Sequence, residues 1–146
     1  MQEQKGDIWR LVGIANAICV TTNGICKADG SLVMGRGIAL DALKRYPNIA
    51  KNLGYKVRLL GNTVHVGAVD GDTSILSYPT KGDWRDPSDI FLIRKSAVKL
   101  VEYATKFNWT LVGLPRPGCG NGFLNWEDVK RVLSPIFDER FVVYNL

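Results

Sequence analysis

The sequence predicts an α/β domain in which a mixed sheet of about six strands is sandwiched between two layers of helices. Short apolar runs, typical of buried strands, alternate along the chain with segments whose apolar residues recur every three to four positions, as in amphipathic helices. The composition, with 46% hydrophobic and 23% charged residues, is that of an ordinary globular protein. The length of 146 residues fits one domain, so we expect residues 1–146 to form a single unit.

The strands are predicted from segments that are short, apolar or alternating, and bounded by turn residues. These segments are Asp7–Val12, Ala15–Thr21, Asn62–Val69, Ser74–Tyr78, Trp109–Leu114 and Phe141–Leu146. Asp70-Gly71-Asp72 joins the third segment to the fourth as a hairpin turn, so these two strands should be antiparallel. Trp109–Leu114 is nearly all apolar, which predicts a central strand that is covered on both faces.

Three further segments are predicted to be helices. The first is Gly37–Tyr46, and Pro47 either ends it or begins another helix, because proline disfavours helix at the residue before it. The second follows Pro87, with Asp86 as its N-cap, and has an apolar stripe with a period of 3.6 residues. That stripe consists of Ile90, Ile93, Ala97, Leu100, Val101 and Ala104. The third is capped by Asn125 and extends to about Leu133.

Several classes of site are disfavoured by the composition. Cys19, Cys26 and Cys119 show no CxxC spacing, which argues against a disulfide framework or a zinc site and predicts free thiols. With His65 as the one histidine, we expect no metal and no cofactor. No apolar stretch could span a membrane and the polar N-terminus has no signal-peptide core, so we expect a cytoplasmic monomer without membrane contacts. The net charge of +5 favours polyanionic partners, although no run of lysine and arginine marks a nucleic-acid surface.

Two glycine-rich segments have the composition of anion-binding loops. Met34-Gly35-Arg36-Gly37-Ile38 leads into a predicted helix, whose free N–H groups can bind a phosphate. Pro117-Gly118-Cys119-Gly120-Asn121-Gly122 follows the most apolar predicted strand, at the edge of the sheet where α/β proteins bind ligands. The alternatives are a tight turn into a helix and an ordinary strand-to-helix connection. Together, two loops of this kind suit a diphosphate.

Two further positions carry chemically versatile side chains. Lys81 follows a predicted strand and is close in sequence to Asp83, Trp84 and Arg85. A lysine in such a place is either a solvated loop residue or, when its pKa is lowered, a nucleophile. Asp7, at the start of the first predicted strand, is either a turn residue or an acceptor for the amino group of an adenine.

These four segments, in this order, resemble a macro domain, the ADP-ribose-binding fold, over nearly the whole chain. Gly6-Asp7-Ile8 is similar to the family's opening, whose Asp binds adenine, and Ala17–Asn23 resembles the strand that ends in an Asn near the distal ribose. The last residues, 143–146, resemble the family's closing strand. The resemblance implies that Lys81 and Asn23 are catalytic. It also implies that ADP-ribose is bound by Asp7, Ile8, Thr22, Met34, Gly35, Arg36, Gly37, Ile38, Pro117, Gly118, Cys119, Gly120, Asn121 and Gly122.

The motifs also resemble one branch of the family, which includes the terminal ADP-ribose protein glycohydrolase and the antitoxin that removes ADP-ribose from DNA. In both, the lysine of a Thr-Lys segment is catalytic, and it corresponds to Lys81. The protein-directed enzyme also uses an Asp where this chain has Gly122, whereas the antitoxin has glycine there as well. The resemblance therefore favours a nucleobase-linked or other substrate over a protein glutamate.

The function that the resemblance implies is binding of ADP-ribose and hydrolysis of an ADP-ribosyl bond, on a DNA base or a protein side chain, with a lysine. Two alternatives stay open: a reader or sponge that binds ADP-ribose without cutting, and a phosphatase acting on ADP-ribose 1″-phosphate. A generic nucleotide-binding α/β domain is disfavoured, because the chain contains neither GxxxxGK[ST] nor GxGxxG.

Overall fold

The computed structural model describes all residues, 1–146, and contains a six-stranded sheet with helices on both faces. The strands are β1 (Gln2–Lys5), β2 (Ala17–Thr22), β3 (Val66–Asp70), β4 (Thr73–Pro79), β5 (Val112–Pro115) and β6 (Phe141–Asn145). The α-helices are α1 (Gly37–Arg45), α2 (Ile49–Leu60), α3 (Ile90–Lys106) and α4 (Trp126–Leu133). Two short 3-10 helices, Ile8–Leu11 and Gly120–Gly122, complete the chain. The predicted fold class, a three-layer α/β sandwich with a mixed sheet, is confirmed.

The order of the strands across the sheet is β1-β6-β5-β2-β4-β3. All neighbours are parallel except β3 and β4, which form the antiparallel hairpin predicted around Gly71. Because β2, β4 and β5 are parallel, the residues that follow Thr22, Pro79 and Pro115 meet at one edge of the sheet. This edge carries the site described below.

Each face of the sheet is covered by its own apolar core. On one face α3 and α4 pack over β4, β5 and β6, with Tyr78, Leu100 and Phe141 fully buried. On the other face α1, α2 and the first 3-10 helix pack over β2 and β4, with Ile18, Leu53 and Ile75 fully buried. Burial of both faces explains the continuous apolar character of β2 and β5. None of the four helices combines the length and the apolar composition that a membrane span requires.

The N-terminal part of the prediction was wrong. Asp7–Val12 is not a strand, because Ile8–Leu11 is a 3-10 helix whose N-cap is Asp7, and the Asp7 carboxylate accepts a hydrogen bond from the Trp9 N–H at 3.0 Å. The edge strand β1 precedes it, and all four of its residues are polar and exposed. A strand without apolar residues gives no hydrophobic pattern, which is why it was missed.

Two helix predictions also need correction. Helix α2 was not predicted as an element, although Pro47 was noted as a possible start; its buried face consists of Ile49, Ala50, Leu53 and Gly54. Helix α3 begins later than expected, with Asp89 and not Asp86 as its N-cap. The carboxylate of Asp89 accepts the Phe91 N–H at 2.9 Å, so this aspartate satisfies a free donor of the first turn.

Candidate functional site

A cleft of about 530 Å³ opens at the carboxyl ends of β2, β4 and β5. Its walls are formed by the end of β2, the segment before α1, the segment after β4, and the loop between β5 and α4. The lining residues include Thr22, Asn23, Thr80, Lys81 and Ser88, together with the first glycine-rich segment and residues 118–122 of the second. The parallel order of the three strands therefore brings together segments that are far apart in sequence.

The first glycine-rich segment leads into the N-terminus of α1. Arg36 is the N-cap residue, with extended backbone, and its side chain makes no capping hydrogen bond. The N–H groups of the first turn consequently have no side-chain partner from the cap, as is typical of a helix N-terminus that receives an anion. A Cβ added at Gly35 would meet no atom within 4 Å, so the backbone faces open space at this point.

The second glycine-rich segment is tightly packed beneath and open above. A Cβ at Gly118 would lie 2.6 Å from Ile93 Cδ1, and a Cβ at Gly122 would collide with the hydroxyl of Ser88. Gly120, with φ of +75°, adopts a left-handed conformation that glycine accepts without strain, and it has no neighbour within 4 Å of such a Cβ. Phe123 ends the segment in the same left-handed region with its ring exposed, an unusual conformation for a residue with a side chain.

Hydrogen bonds to the backbone around Lys81 and from its side-chain nitrogen position this residue. The Asn62 side-chain amide donates to the Lys81 carbonyl at 3.3 Å, and the Gly24 N–H donates to the Gly82 carbonyl at 2.8 Å. The Lys81 ammonium Nζ donates to the backbone carbonyl of Asn121 at 3.4 Å. The amine therefore lies against the second glycine-rich segment, on the wall of the cleft.

Asn23 holds the chain around the cleft as well as lining it. Its side-chain Nδ2 donates to the Val33 carbonyl at 2.9 Å, and its Oδ1 accepts the Ile25 N–H at 2.8 Å. These two bonds tie the end of β2 to the segment that leads into the first glycine-rich loop. One N–H and one lone pair of the amide are left for a ligand.

The charge of the cleft is uniformly positive. Arg36, Lys81 and Arg116 line it, and no aspartate or glutamate does. The electrostatic potential of such a cleft favours an anionic ligand, since low-dielectric walls strengthen the field of the lining charges. The side chains nowhere form a group of three or more histidines, cysteines and carboxylates that could hold a metal ion.

Comparison with known proteins identifies the family. No family model matches the chain. The DNA ADP-ribosyl glycohydrolase of Mycobacterium tuberculosis is 34% identical over 113 residues, which is 73% of this chain and 32% of that protein. The solved macrodomain of Mycobacterium tuberculosis DarG is 31% identical with a TM-score of 0.83, and the match covers 99% of this chain and 97% of that one. The chain belongs to the macrodomain family.

A third similarity concerns the fold of this macrodomain alone. The structure of Thermosipho africanus DarTG in complex with ADP-ribose is 21% identical with a TM-score of 0.80, and it covers 98% of this chain and 41% of that chain. The macrodomain spans about a third of the length of the curated relatives that it matches.

The macrodomain cleft gathers most of the predicted site residues. All of them line it except Asp7, Ile8 and Pro117. Asp7 is exposed at the start of the 3-10 helix, and Ile8 is buried in the apolar core. Pro117, the first residue of the second glycine-rich segment, is buried. The assignment of all the predicted residues to ADP-ribose, whether they line the cleft or not, stays a prediction.

Sequence reasoning missed several residues that line the macrodomain cleft. They are Thr21, Val33, Ala39, Thr80, Ser88, Pro115 and Arg116. Most of them adjoin a motif that was recognised, so proximity to the motif was a usable signal. Ser88 differs, because it follows the Lys81 segment after a six-residue loop and its place in the cleft depends on the start of α3.

Asp83 is not positioned as a proton partner for Lys81 in the macrodomain. Its carboxylate accepts from the Arg85 side chain at 3.0 and 2.6 Å and from the Arg85 backbone N–H at 2.9 Å. These hydrogen bonds lower the pKa of Asp83 to about 2. The pair is exposed and closes the turn that presents Trp84, whose ring lines the cleft.

Proposed function

We propose that this macrodomain binds ADP-ribose in the cleft and removes it from a modified nucleobase of DNA. The observation that carries the proposal is the position of Lys81, whose amine lies on the wall of a positively charged cleft between two glycine-rich segments. The curated relatives are named DNA ADP-ribosyl glycohydrolase, and a protein of the same fold has been solved with ADP-ribose. Because the chain spans 32% of the Mycobacterium tuberculosis relative, both the activity and the substrate are proposals for this protein.

The binding assignment follows the chemistry of each wall. Backbone N–H groups of 34–38 and 118–122 hold the diphosphate, and Arg36 adds a positive charge. Thr22 and Asn23, at the end of β2, bind the hydroxyls of the distal ribose through the polar groups that remain unpaired. Asp7 receives the adenine amino group with the carboxylate oxygen that makes no hydrogen bond in the protein, and Ile8 contacts the adenine ring.

Lys81 performs the cleavage in two steps. Its amine, after giving one proton to water, attacks the anomeric carbon C1″ of the distal ribose, and the bond from C1″ to the nucleobase breaks. The base leaves with the bonding electron pair and takes up a proton from water, while the lysine nitrogen, now bonded to C1″, loses one. Water then attacks C1″, the nitrogen takes up a proton as its bond to C1″ breaks, and the water oxygen loses a proton to become the free anomeric hydroxyl of the released ADP-ribose. The contacts to the diphosphate and adenine, remote from the reacting bond, hold C1″ at the lysine.

Gly122 favours a substrate whose ADP-ribosyl bond can be cleaved without a carboxylate from the protein. An aspartate at this position would have to pass the Ser88 hydroxyl, with which even its Cβ would collide. No carboxylate lines the cleft, so Lys81 would act without an acidic partner. A nucleobase is a leaving group that stabilises the departing electron pair in its own ring system, and it depends less on a protein acid.

The test is release of ADP-ribose from an oligodeoxynucleotide that carries an ADP-ribosylated thymine or guanine, followed by chromatography. We expect the wild type to release ADP-ribose, Lys81→Ala to release it at least about 100-fold more slowly, and both to bind ADP-ribose in calorimetry. Lys95→Ala, which removes an exposed lysine of α3 outside the cleft, is the control for loss of one positive charge and should behave as the wild type. Equal turnover by Lys81→Ala would refute the mechanism.

Parallel substrates separate the alternative functions. A glutamate-linked peptide and ADP-ribose 1″-phosphate are incubated under the same conditions as the oligodeoxynucleotide. Release from the peptide alone would place the activity on protein, and loss of phosphate alone would identify a phosphatase. Tight binding of ADP-ribose without any product would identify a reader.

A further inference from the structure

The buried polar atoms without a hydrogen-bond partner are concentrated at the cleft. Four such side-chain atoms occur in the protein: Thr22 Oγ1, Asn62 Oδ1, Ser88 Oγ and Arg116 Nε. Three of them belong to residues that line the cleft, and the fourth belongs to the side chain that donates to the Lys81 carbonyl. Folded proteins pair nearly all of their buried polar groups, since an unpaired one loses its hydration without compensation. Unpaired polar atoms that adjoin a cleft are candidates for contacts with the ligand of that cleft.

Ser88 lies between the two parts of the site that the proposed function uses. Its backbone N–H donates to the Gly122 carbonyl at 3.1 Å, and the N–H of the next residue, Asp89, donates to the Thr80 carbonyl at 2.8 Å. It is therefore tied to the second glycine-rich segment on one side and to the Lys81 segment on the other. The residue is 8% exposed, and its hydroxyl faces Gly122.

Other buried serines in the protein have hydroxyls with structural partners. Ser96, on α3, is 2% exposed and donates from Oγ to the Pro79 carbonyl at 2.7 Å. Ser77, on β4, is 1% exposed and accepts the His65 N–H at 2.9 Å. The hydroxyl of Ser88 has no structural hydrogen-bond partner, although its oxygen atom is also buried.

We propose that Ser88 is a ligand-binding residue whose hydroxyl forms a hydrogen bond with a hydroxyl of the distal ribose. This inference rests on the proposed function, because it takes ADP-ribose as the ligand. The ribose is the part of the ligand that must lie at Lys81, and the segment containing Ser88 is the one that presents this lysine. A serine hydroxyl can both donate and accept, as a ribose hydroxyl can, so the two groups are matched.

Gly122 controls access to this hydroxyl. The absence of a side chain at Gly122 allows the Ser88 hydroxyl to lie directly beneath the segment, out of contact with solvent. The ligand reaches the hydroxyl when Ser88 changes its one side-chain rotamer or when the Gly122 end of the segment shifts. Both movements are small, because Ser88 has a single torsion and Gly122 has no Cβ to displace.

The test compares Ser88→Ala with Ser96→Ala in two measurements on the whole chain, thermal unfolding without ligand and calorimetry with ADP-ribose and with ADP. Ser88→Ala should keep or raise the melting temperature, because it removes an unpaired polar atom, and should weaken ADP-ribose binding about 3- to 10-fold. It should leave the affinity for ADP unchanged, since ADP lacks the distal ribose. Ser96→Ala should lower the melting temperature and leave both affinities unchanged.

The outcomes separate this inference from the proposed function. If the wild type binds ADP-ribose and Ser88→Ala binds it with the same affinity, the role of Ser88 alone is overturned. The same holds if Ser88→Ala lowers the melting temperature as much as Ser96→Ala does. An equal loss of ADP affinity overturns the assignment to the ribose. A wild type that does not bind ADP-ribose overturns the proposed function, and the role of Ser88 with it.

Discussion

The side-chain nitrogen of Lys81 lies 3.4 Å from the backbone carbonyl oxygen of Asn121. This contact joins the segment after β4 to the second glycine-rich segment across 40 positions of sequence. No carboxylate forms an ion pair with Lys81, in contrast to Arg85, which is held by Asp83. One long hydrogen bond to a neutral carbonyl restrains the amine only weakly, so the lysine is free to turn from the wall of the cleft toward a substrate.

The first prediction separates nucleophilic from purely electrostatic action of Lys81. Lys81→Arg keeps the positive charge, but a guanidinium stays protonated in proteins and cannot attack C1″. We expect Lys81→Arg to bind ADP-ribose within a few-fold of the wild type and to lose turnover by at least about 100-fold. The glycosylamine on Lys81 opens its ribose ring to an imine, so borohydride added during turnover should reduce this imine to a stable ADP-ribosyl adduct on Lys81 of the wild type, detected by peptide mass spectrometry. Substantial turnover by Lys81→Arg would favour a charge effect.

The sequence predicted the fold well where burial leaves a pattern. The buried strands β2 and β5, the hairpin around Gly71 and the helix capped by Asn125 were all placed correctly within a few residues. Strand β1 was missed because parallel pairing with β6, and not burial of its side chains, holds it in the sheet. Helix α2 was missed because Tyr55 and Leu59, on its outer face, are exposed apolar residues that blur the 3.6-residue period of its buried face.

The site was predictable to the extent that its residues lie in short motifs. Gly35, Lys81 and Gly120 are marked by their neighbours in sequence, and they meet at the cleft as expected. Ser88 carries no such mark. Its importance comes from a buried polar atom that lacks a partner, and this is a property of packing in three dimensions that residue type and spacing do not encode.

The second prediction concerns Asn23, which has a structural task beside its proposed contact with the ribose. Asn23→Ala removes the bonds to Val33 and Ile25, so we expect it to lower the free energy of unfolding by about 1–3 kcal/mol in urea denaturation and also to weaken ADP-ribose binding. Asn52→Ala is the control, because it removes one side-chain bond, to the Gly67 carbonyl, outside the cleft. It should reduce stability and leave affinity intact. Unchanged stability of Asn23→Ala would contradict the role of the two bonds.

The third prediction concerns the space above Gly35. Its backbone has no positive φ and a Cβ there meets no atom, so Gly35→Ala should fold with unchanged or slightly higher stability. The added methyl group occupies the part of the cleft assigned to the diphosphate, and we expect affinity for ADP-ribose to fall about 5- to 100-fold in calorimetry. Gly82→Ala, also free of close neighbours but outside the cleft lining, should leave affinity unchanged. Full affinity in Gly35→Ala would place the diphosphate elsewhere.

The last prediction uses the cysteines as reporters of the cleft. Cys119 lines the cleft and is half-buried, and burial raises the pKa of its thiol above the ordinary value of 9.0, so its reaction with a thiol reagent should keep accelerating above pH 9. Cys19 is fully buried in β2, and burial raises the pKa of its thiol further, so it should react only on unfolding.

ADP-ribose at ten times its Kd should slow labelling of Cys119 about 11-fold, since only ligand-free molecules react. Peptide mass spectrometry assigns each modified thiol, and Cys119→Ser should abolish the ligand-sensitive fraction while Cys26 labelling is unaffected. Ligand-independent labelling of Cys119 would mean that ADP-ribose does not cover the second glycine-rich segment.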